Sequence, residues 1–285
     1  MECEVLILGY GPITHAFAAS LIAKGHKVIA ISQRQSTSSV GAEFPPDTFH
    51  SIRWQDVLSQ QVRSASTYIG WRQSPQNQPL GTELIDWVKS TNLRTGKIYH
   101  LSSASVYSGD QELFSEIDYD SAISNKSQNS KQILEKLVVD LCRVKDTEFV
   151  NYRISNVYGP NIQEGFINQS LINLKNGVPI TIYKELDLIR DYILIDDLVS
   201  ALTNLRLHKS SDEMLNISTG RGVAISEIIN HLQDLGVNNL KLLEMTAPEN
   251  IIPKSVLLCK KLEEIIPWKP QRIEESLHRL VQDLI

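Results

Sequence analysis

The sequence predicts a doubly wound α/β fold, a parallel sheet with helices on both faces, and three observations carry that prediction. Apolar runs of strand length alternate with stretches at helical spacing through the first half of the chain. The first run ends in a glycine-rich turn that opens a helix, and the runs are apolar on both sides, as strands buried on two faces are.

EVLILGYGP (residues 4–12) reads as a strand ending in glycines, residues 13–24 as a helix, and Gly25 as its stop. HKVIAIS (26–32) is the second strand, and residues 50–53, 67–71, 97–102 and 149–153 are further ones. Helices are predicted over 82–90 and 127–144. From about Gly159 the pattern shifts to NGVPITIY, RDYILIDDLVSAL and LNIS, separated by loops. The division expected is a Rossmann-type dinucleotide-binding core over 1–158 and a smaller C-terminal substrate lobe over 159–285, interleaved with the last core elements.

Composition narrows the partners. The 285 residues carry 28 Lys+Arg against 33 Asp+Glu, a net charge of −5, with the basic residues scattered. Neither nucleic acid nor an anionic membrane surface is called for. No apolar run approaches the ~20 residues of a spanning helix, and the first residues lack the positive charge of a signal peptide, so a cytoplasmic location is expected. Three widely spaced cysteines, an odd number without a CxxC, read as buried free thiols, and the seven histidines show no metal-binding spacing. No metal is expected.

Gly9-Tyr10-Gly11-Pro12-Ile13-Thr14 follows a strand and opens a helix, the context a dinucleotide fingerprint requires. Gly9 takes the tight turn and Gly11 lets the backbone approach a pyrophosphate. Pro12 and Ile13 begin the helix whose unpaired N–H groups favour an anion. Thr14 stands where a third glycine serves close packing of helix on strand, and is expected to push the helix outward by a fraction of an ångström. The second strand closes on Ser32, Gln33 and Arg34, with no carboxylate for a ribose 2′-OH. A guanidinium suits a 2′-phosphate, so NADP is favoured over NAD.

With SSASVYS (102–108), YRISNVYGP (152–160), RDYILIDDLVSAL (190–202), LNISTGRGVAISEI (215–228) and PWKP (267–270) in this order, the chain resembles the extended short-chain dehydrogenase/reductases. Within them it is similar to the NAD(P)-dependent epimerase/dehydratase family that modifies nucleotide sugars. The resemblance implies that Ser103 is the catalytic Ser/Thr and that Lys131 lowers a phenol pKa and binds the nicotinamide ribose. Tyr107, Asn156 and Arg190 are implied on the substrate, with Arg190 as a clamp for its diphosphate, and Arg153 as structural. Asp196 and Asp197 match an element where acids cap and brace a helix N-terminus. A homodimer through helices 82–90 and 127–144 is implied as well.

One departure governs the function. The family's catalytic tyrosine stands four residues before its lysine; here that residue is Ser127, and none of the nine tyrosines has a lysine four residues on. A phenol of pKa near 10 can be brought toward neutrality by a neighbouring ammonium, whereas an alkyl hydroxyl is a far weaker acid. Three explanations stand: another group (Tyr107, Tyr119 or water) supplies the proton, the reaction needs no such group, or the fold has kept binding and lost chemistry. Ala104 and Ser105 replace the carboxylate pair of the family's 4,6-dehydratases, which disfavours that reaction. The expected function is an NAD(P)-dependent oxidoreductase or epimerase-like activity on a nucleotide sugar or related polyol; the alternative is a non-catalytic NAD(P)-binding sensor or regulatory protein.

Overall fold

Strand β1 (Glu2–Leu8) is buried on both faces from Val5 onward, which places it inside a sheet. The computed structural model describes residues 2–32, 43–53, 56, 61–70, 92–107, 112–118, 130–208, 213–237, 240–248 and 251–282. After β1 come α1 (Pro12–Ala23), β2 (Val28–Ser32), β3 (Phe49–Arg53), β4 (Gln61–Ile69), β5 (Asn92–Ser103), β6 (Leu113–Phe114), α2 (Ser130–Lys145) and β7 (Glu148–Ile154). The chain continues through β8 (Asn156–Tyr158), α3 (Phe166–Asn176), β9 (Ile180–Tyr183), β10 (Ile189–Leu194), α4 (Ile195–Leu205) and β11 (Met214–Ile217). Last are β12 (Gly222–Ala224), α5 (Ile225–Asp234), β13 (Leu242–Met245), β14 (Lys254–Leu257), α6 (Lys260–Ile265) and α7 (Ile273–Gln282). The chain divides into two compact units: residues 1–106, 120–153 and 209–215, and residues 107–119, 154–208 and 216–285.

The sheet of the first unit runs β7-β5-β4-β1-β2-β3, with β11 starting beyond β7. β1 pairs in parallel with β2 and β4, β2 with β3, and β4 with β5. From β1 the chain moves outward through β2 and β3 on one side and through β4, β5 and β7 on the other. The order therefore reverses between β1 and β4, the switch point at which open α/β sheets bind ligands. This is the doubly wound fold the sequence predicts.

On one face Leu134, Val138, Leu141 and Cys142 of α2 bury Leu6, Leu8, Ile69 and Ile98. Elsewhere in the core Phe17 of α1 meets Tyr68 edge-on at 4.7 Å, Tyr68 stacks on Tyr99 at 4.6 Å, and Tyr99 on Tyr152 at 5.6 Å. The first unit also holds a buried ion pair: Arg153 donates to both oxygens of Glu135, through Nε at 3.1 Å and Nη2 at 2.8 Å. Arg153 is thus structural.

In the second unit β12, β10, β14 and β6 form one sheet in that order, β8 also pairs with β10, and β9 pairs with β13 in a separate two-stranded sheet. Its core gathers Tyr158, Tyr192, Leu194, Ile225, Ile228, Leu232, Ile273 and Leu277. Cys3, Cys142 and Cys259 are buried free thiols, and burial pushes them up to about 11, about 12 and about 12 respectively. Among the described residues, no helix is long and apolar enough to cross a membrane.

Two strands start earlier than their apolar runs. β4 begins at Gln61 and β5 at Asn92, because the first halves of both are polar and partly exposed and carry no two-sided pattern. The predicted helix over 82–90 lies outside the described residues, and the one over 127–144 is described from Ser130 to Lys145.

Removing one partner of a buried ion pair leaves the other charged and unsolvated, at a cost of about 3–5 kcal/mol. Arg153→Met is expected to lower the denaturant midpoint accordingly, and Arg153→Met with Glu135→Leu to recover a large part of the loss. Equal destabilisation in both variants would show that the pair does not act as a unit.

Candidate functional site

The C-terminal ends of β1 and β4 frame the first part of the site. Gly9 takes φ +88°, a conformation that side chains resist, and turns the chain out of β1. Gly11 is extended and precedes Pro12, the first residue of α1, and among the described residues a Cβ placed on Gly11 would meet nothing within 4 Å. No described residue therefore crowds the helix start, whose first turn carries no acidic side chain. A pyrophosphate fits such a place, with the positive end of the helix beneath it and no carboxylate to repel it.

Thr14 organises this turn from inside. Its hydroxyl oxygen accepts the Gly11 N–H at 2.8 Å, and its proton faces the carbonyls of Gly9 and Gly11, each at 3.1 Å. Tyr10 shares a 2.8 Å hydrogen bond with His15 Nδ1, and burial pushes its phenol well above its ordinary value. Its ring lies 5.8 Å from that of Phe49. Ser32 ends β2 with its side chain buried, while Gln33 and Arg34 fall outside the described residues.

The second part of the site lies where β5 ends. Ser103 Oγ accepts from the N–H and the hydroxyl of Ser105, both at 3.3 Å. Gln132 Nε2 donates to the Val106 carbonyl at 2.8 Å, which fixes the first turn of α2 against the short turn that follows Ser103. Lys131, the neighbour of Gln132, is thereby carried on an element tied to the one bearing Ser103. Ser127 and Tyr119 lie outside the described residues.

His100, three residues before Ser103 on β5, is buried and shares a 2.8 Å hydrogen bond with Asn151 Oδ1. The amide oxygen only accepts, so Nδ1 carries the proton. Burial lowers the His100 pKa most, and the Lys131 ammonium lowers it further, while Asn151 and Glu135 oppose them. The imidazole is neutral at neutral pH.

In the second unit the expected substrate residues are engaged within the chain. Tyr107 is buried, stacks on Phe114 at 5.1 Å and donates its hydroxyl to Asn216 Oδ1 at 2.7 Å. The same Asn216 donates to the carbonyls of Phe114 and Leu258, and its N–H reaches Glu116 Oε1 at 2.9 Å. Asn156 Nδ2 donates to the Asp191 carbonyl at 2.9 Å. Arg190 donates to the carbonyls of Ile189, Ile252 and Pro253 at 2.7–3.0 Å, so three of its five N–H groups hold backbone.

Asp191, which sequence reasoning passed over, accepts from the N–H and hydroxyl of Thr219 and from the Gly220 N–H at 2.8–3.0 Å. Its burial raises the carboxyl to about 6 even though these hydrogen bonds act to lower it. Asp196 and Asp197 stand in the first turn of α4 without a capping hydrogen bond from its N-cap residue. Asp197 instead accepts the Gln271 N–H at 2.9 Å, a brace between segments. No group of three or more His, Cys, Asp or Glu side chains able to hold a metal ion occurs among the described residues.

A parallel sheet that reverses beside a glycine turn opening a helix defines a doubly wound α/β protein with an anion-suited helix start at its switch point. Residues 5–218 match the NAD dependent epimerase/dehydratase family, and the chain belongs to it. It is 23% identical over 210 residues to a dTDP-4-dehydro-6-deoxyglucose reductase of Escherichia coli, covering 72% of this chain and 62% of that protein. It is 34% identical over 151 residues to a CDP-abequose synthase of Salmonella typhimurium, covering 47% of this chain and 49% of that protein. The chain thus spans 62% and 49% of these two relatives' lengths. A UDP-glucuronic acid 4-epimerase of Bacillus cereus, solved with UDP-glucuronic acid and NAD, has the same fold. Its TM-score is 0.76 at 17% identity, with all of both chains covered.

The folded-state pKa of Asp191 lies above its ordinary 3.8, so the folded protein holds this proton more tightly than the unfolded chain. Its contribution to stability is full below about pH 4 and is lost as the pH rises through about 6. Carboxyl-carbon NMR should give a midpoint near 6, and the gap in Tm between the wild type and Asp191→Asn should change across that window; a midpoint near 4 would refute the assignment. Tyr107→Phe, which strands Asn216 Oδ1 in the interior, should cost about 1–2 kcal/mol in chemical denaturation.

Proposed function

We propose that this chain binds a nicotinamide dinucleotide and carries out redox chemistry on a nucleotide sugar or related polyol. The observation that carries the reading is the turn itself: a left-handed Gly9 and an extended, uncrowded Gly11 opening α1 beside the switch point of the sheet. In this reading Gly9, Gly11, Pro12 and Ile13 hold the pyrophosphate, and Ser32, Gln33 and Arg34 meet the adenosine ribose. With no carboxylate among those three and a guanidinium present, NADP is the form favoured. Residues 1–158 serve mainly the cofactor and 159–285 mainly the substrate, with Ser103 and Asn156 of the first range reaching the substrate as well.

When bound, the nicotinamide would take up or return a hydride. The chain's own part is to orient the substrate hydroxyl and manage its proton. Ser103 offers a hydroxyl at the end of β5, and Lys131 offers a fixed positive charge that holds a ribose hydroxyl and favours a developing oxyanion. Arg190 and Asn156 face the substrate's diphosphate, where the two guanidinium N–H groups left over from its backbone bonds serve. Ser127 has no phenol to deprotonate, so the proton leaves through water or another side chain. Relatives that act on dTDP- and CDP-linked sugars support the substrate class. Two copies of the chain pairing through 82–90 and 127–144 complete the assembly.

A second reading, a non-catalytic sensor that binds the dinucleotide, is favoured by Ser127 alone. Calorimetry with NAD and NADP in both redox states, followed by absorbance assays on UDP-, dTDP- and CDP-sugars, separates the two. Binding with turnover, reduced about 100-fold or more by Lys131→Met, is the expected outcome. Binding without turnover, joined to activity gained by Ser127→Tyr, would establish the sensor; no binding of any form would sink both readings.

A further inference from the structure

We propose that Gly70 is a positioning residue for the dinucleotide, and that it does from β4 what a third glycine does inside the turn. The proposal rests on the reading of the turn as a pyrophosphate seat. Gly70 follows the last residue of β4 and donates its N–H to the Leu8 carbonyl at 2.8 Å, which ties the two strand ends together at the switch point. A Cβ on Gly70 would lie 2.5 Å from Cγ2 of Thr14, 3.2 Å from the Gly9 carbonyl oxygen and 3.7 Å from Cδ1 of Leu101. The first distance is shorter than two carbons tolerate, and the second is already tight.

The Thr14 methyl thus occupies the volume that any other residue at position 70 would claim, and only 3% of Thr14 is exposed. A third glycine in the turn would let the helix approach the sheet because the helix lacks a side chain there. Here the helix has one, and the strand lacks it. Helix and strand come together with the missing Cβ moved from one partner to the other.

Position matters because the Thr14 hydroxyl cannot move without its methyl. That hydroxyl holds the Gly11 N–H and faces the Gly9 and Gly11 carbonyls. Pro12 has no N–H, and that of Gly11 is taken within the turn, so Ile13 offers the first amide to an anion. A shift of Thr14 away from β4 rotates that amide and opens Gly11 together. Gly70 sets the depth at which this donor stands, without touching the ligand itself.

Thr14→Ser is the decisive companion, since it removes the methyl and keeps the hydroxyl. Affinity for NAD, NADP and ADP-ribose is measured by calorimetry, and Tm by calorimetric melting, for the wild type, Gly70→Ala, Thr14→Ser and the double variant. Overpacking at this joint should weaken Gly70→Ala for every pyrophosphate ligand that the wild type binds by about tenfold or more, and Thr14→Ser in the same chain should restore affinity to within about threefold. Thr14→Ser alone keeps the hydroxyl that holds Gly11 and gives the baseline against which the double variant is read.

Wild-type affinity in Gly70→Ala would overturn the proposal, and so would a loss that Thr14→Ser does not repair. A Gly70→Ala loss of Tm without a loss of affinity would make the contact merely structural and overturn it as well. If Gly70→Ala does not fold, the double variant decides: recovered folding and binding support the proposal, and continued failure refutes it. If the wild type binds no dinucleotide, the functional reading fails instead, and the Gly70–Thr14 contact is still tested by whether Thr14→Ser restores the Tm that Gly70→Ala loses.

Discussion

The parallel register of β1 between β2 and β4 is the constraint on which the rest depends. Leu8 stands level with Ile31 on one side and Ile69 on the other. Two further hydrogen bonds extend the ladder past the strand ends, from Gly9 N to the Ile31 carbonyl and from Gly70 N to the Leu8 carbonyl. β1 and β4 therefore end at one level, with β2 one residue longer, and the turn after β1 leaves the sheet between two strand ends held in register. A slip of one residue would turn the side chains of β1 to the opposite faces and carry the glycines out of reach of both partners.

Much of this was legible because the strongest signals in the sequence belong to the central strands. Leu6, Leu8, Ile29 and Ile31 are buried among other apolar groups, so their runs carry no polar interruption and point to a covered parallel sheet. The glycines at 9 and 11 are readable for a related reason: a positive φ and an open approach each select glycine, and the residue type records the backbone. The polar first halves of β4 and β5 are drawn into the sheet by their ladder partners, from Gln61 against Asn92 upward, and a one-dimensional pattern does not record that.

Beyond the glycine turn, the candidate site was legible in the sequence only through its family resemblance. That resemblance proposes Ser103 and Lys131, and α2 holds the lysine's turn against the one after Ser103 through Gln132, a residue that no pattern distinguishes. Position 70 carries a signal only in retrospect: STYIG ends in glycine at the same level as LILG in β1, and the two strands are neighbours. Asp191 and Asn216 are polar residues in buried places, where each satisfies several backbone groups at once. A sequence shows that such residues are polar but gives no sign of which carbonyls or amides would otherwise go unpaired. Arg190 shows the other side of this: its motif advertises a phosphate ligand, while its geometry adds a load on Ile252 and Pro253 that the motif does not disclose.

The three cysteines give the molecule a property that concerns neither fold nor site. Cys3 and Cys142 lie in the core of the first unit and Cys259 in the second, each protonated up to about pH 11 or 12 while folded. A thiol-alkylating reagent reacts with thiolate, so at neutral pH it meets almost none until the surrounding packing opens. Alkylation, read by mass for each cysteine, then becomes a clock for local opening, with two of its hands in one unit and one in the other.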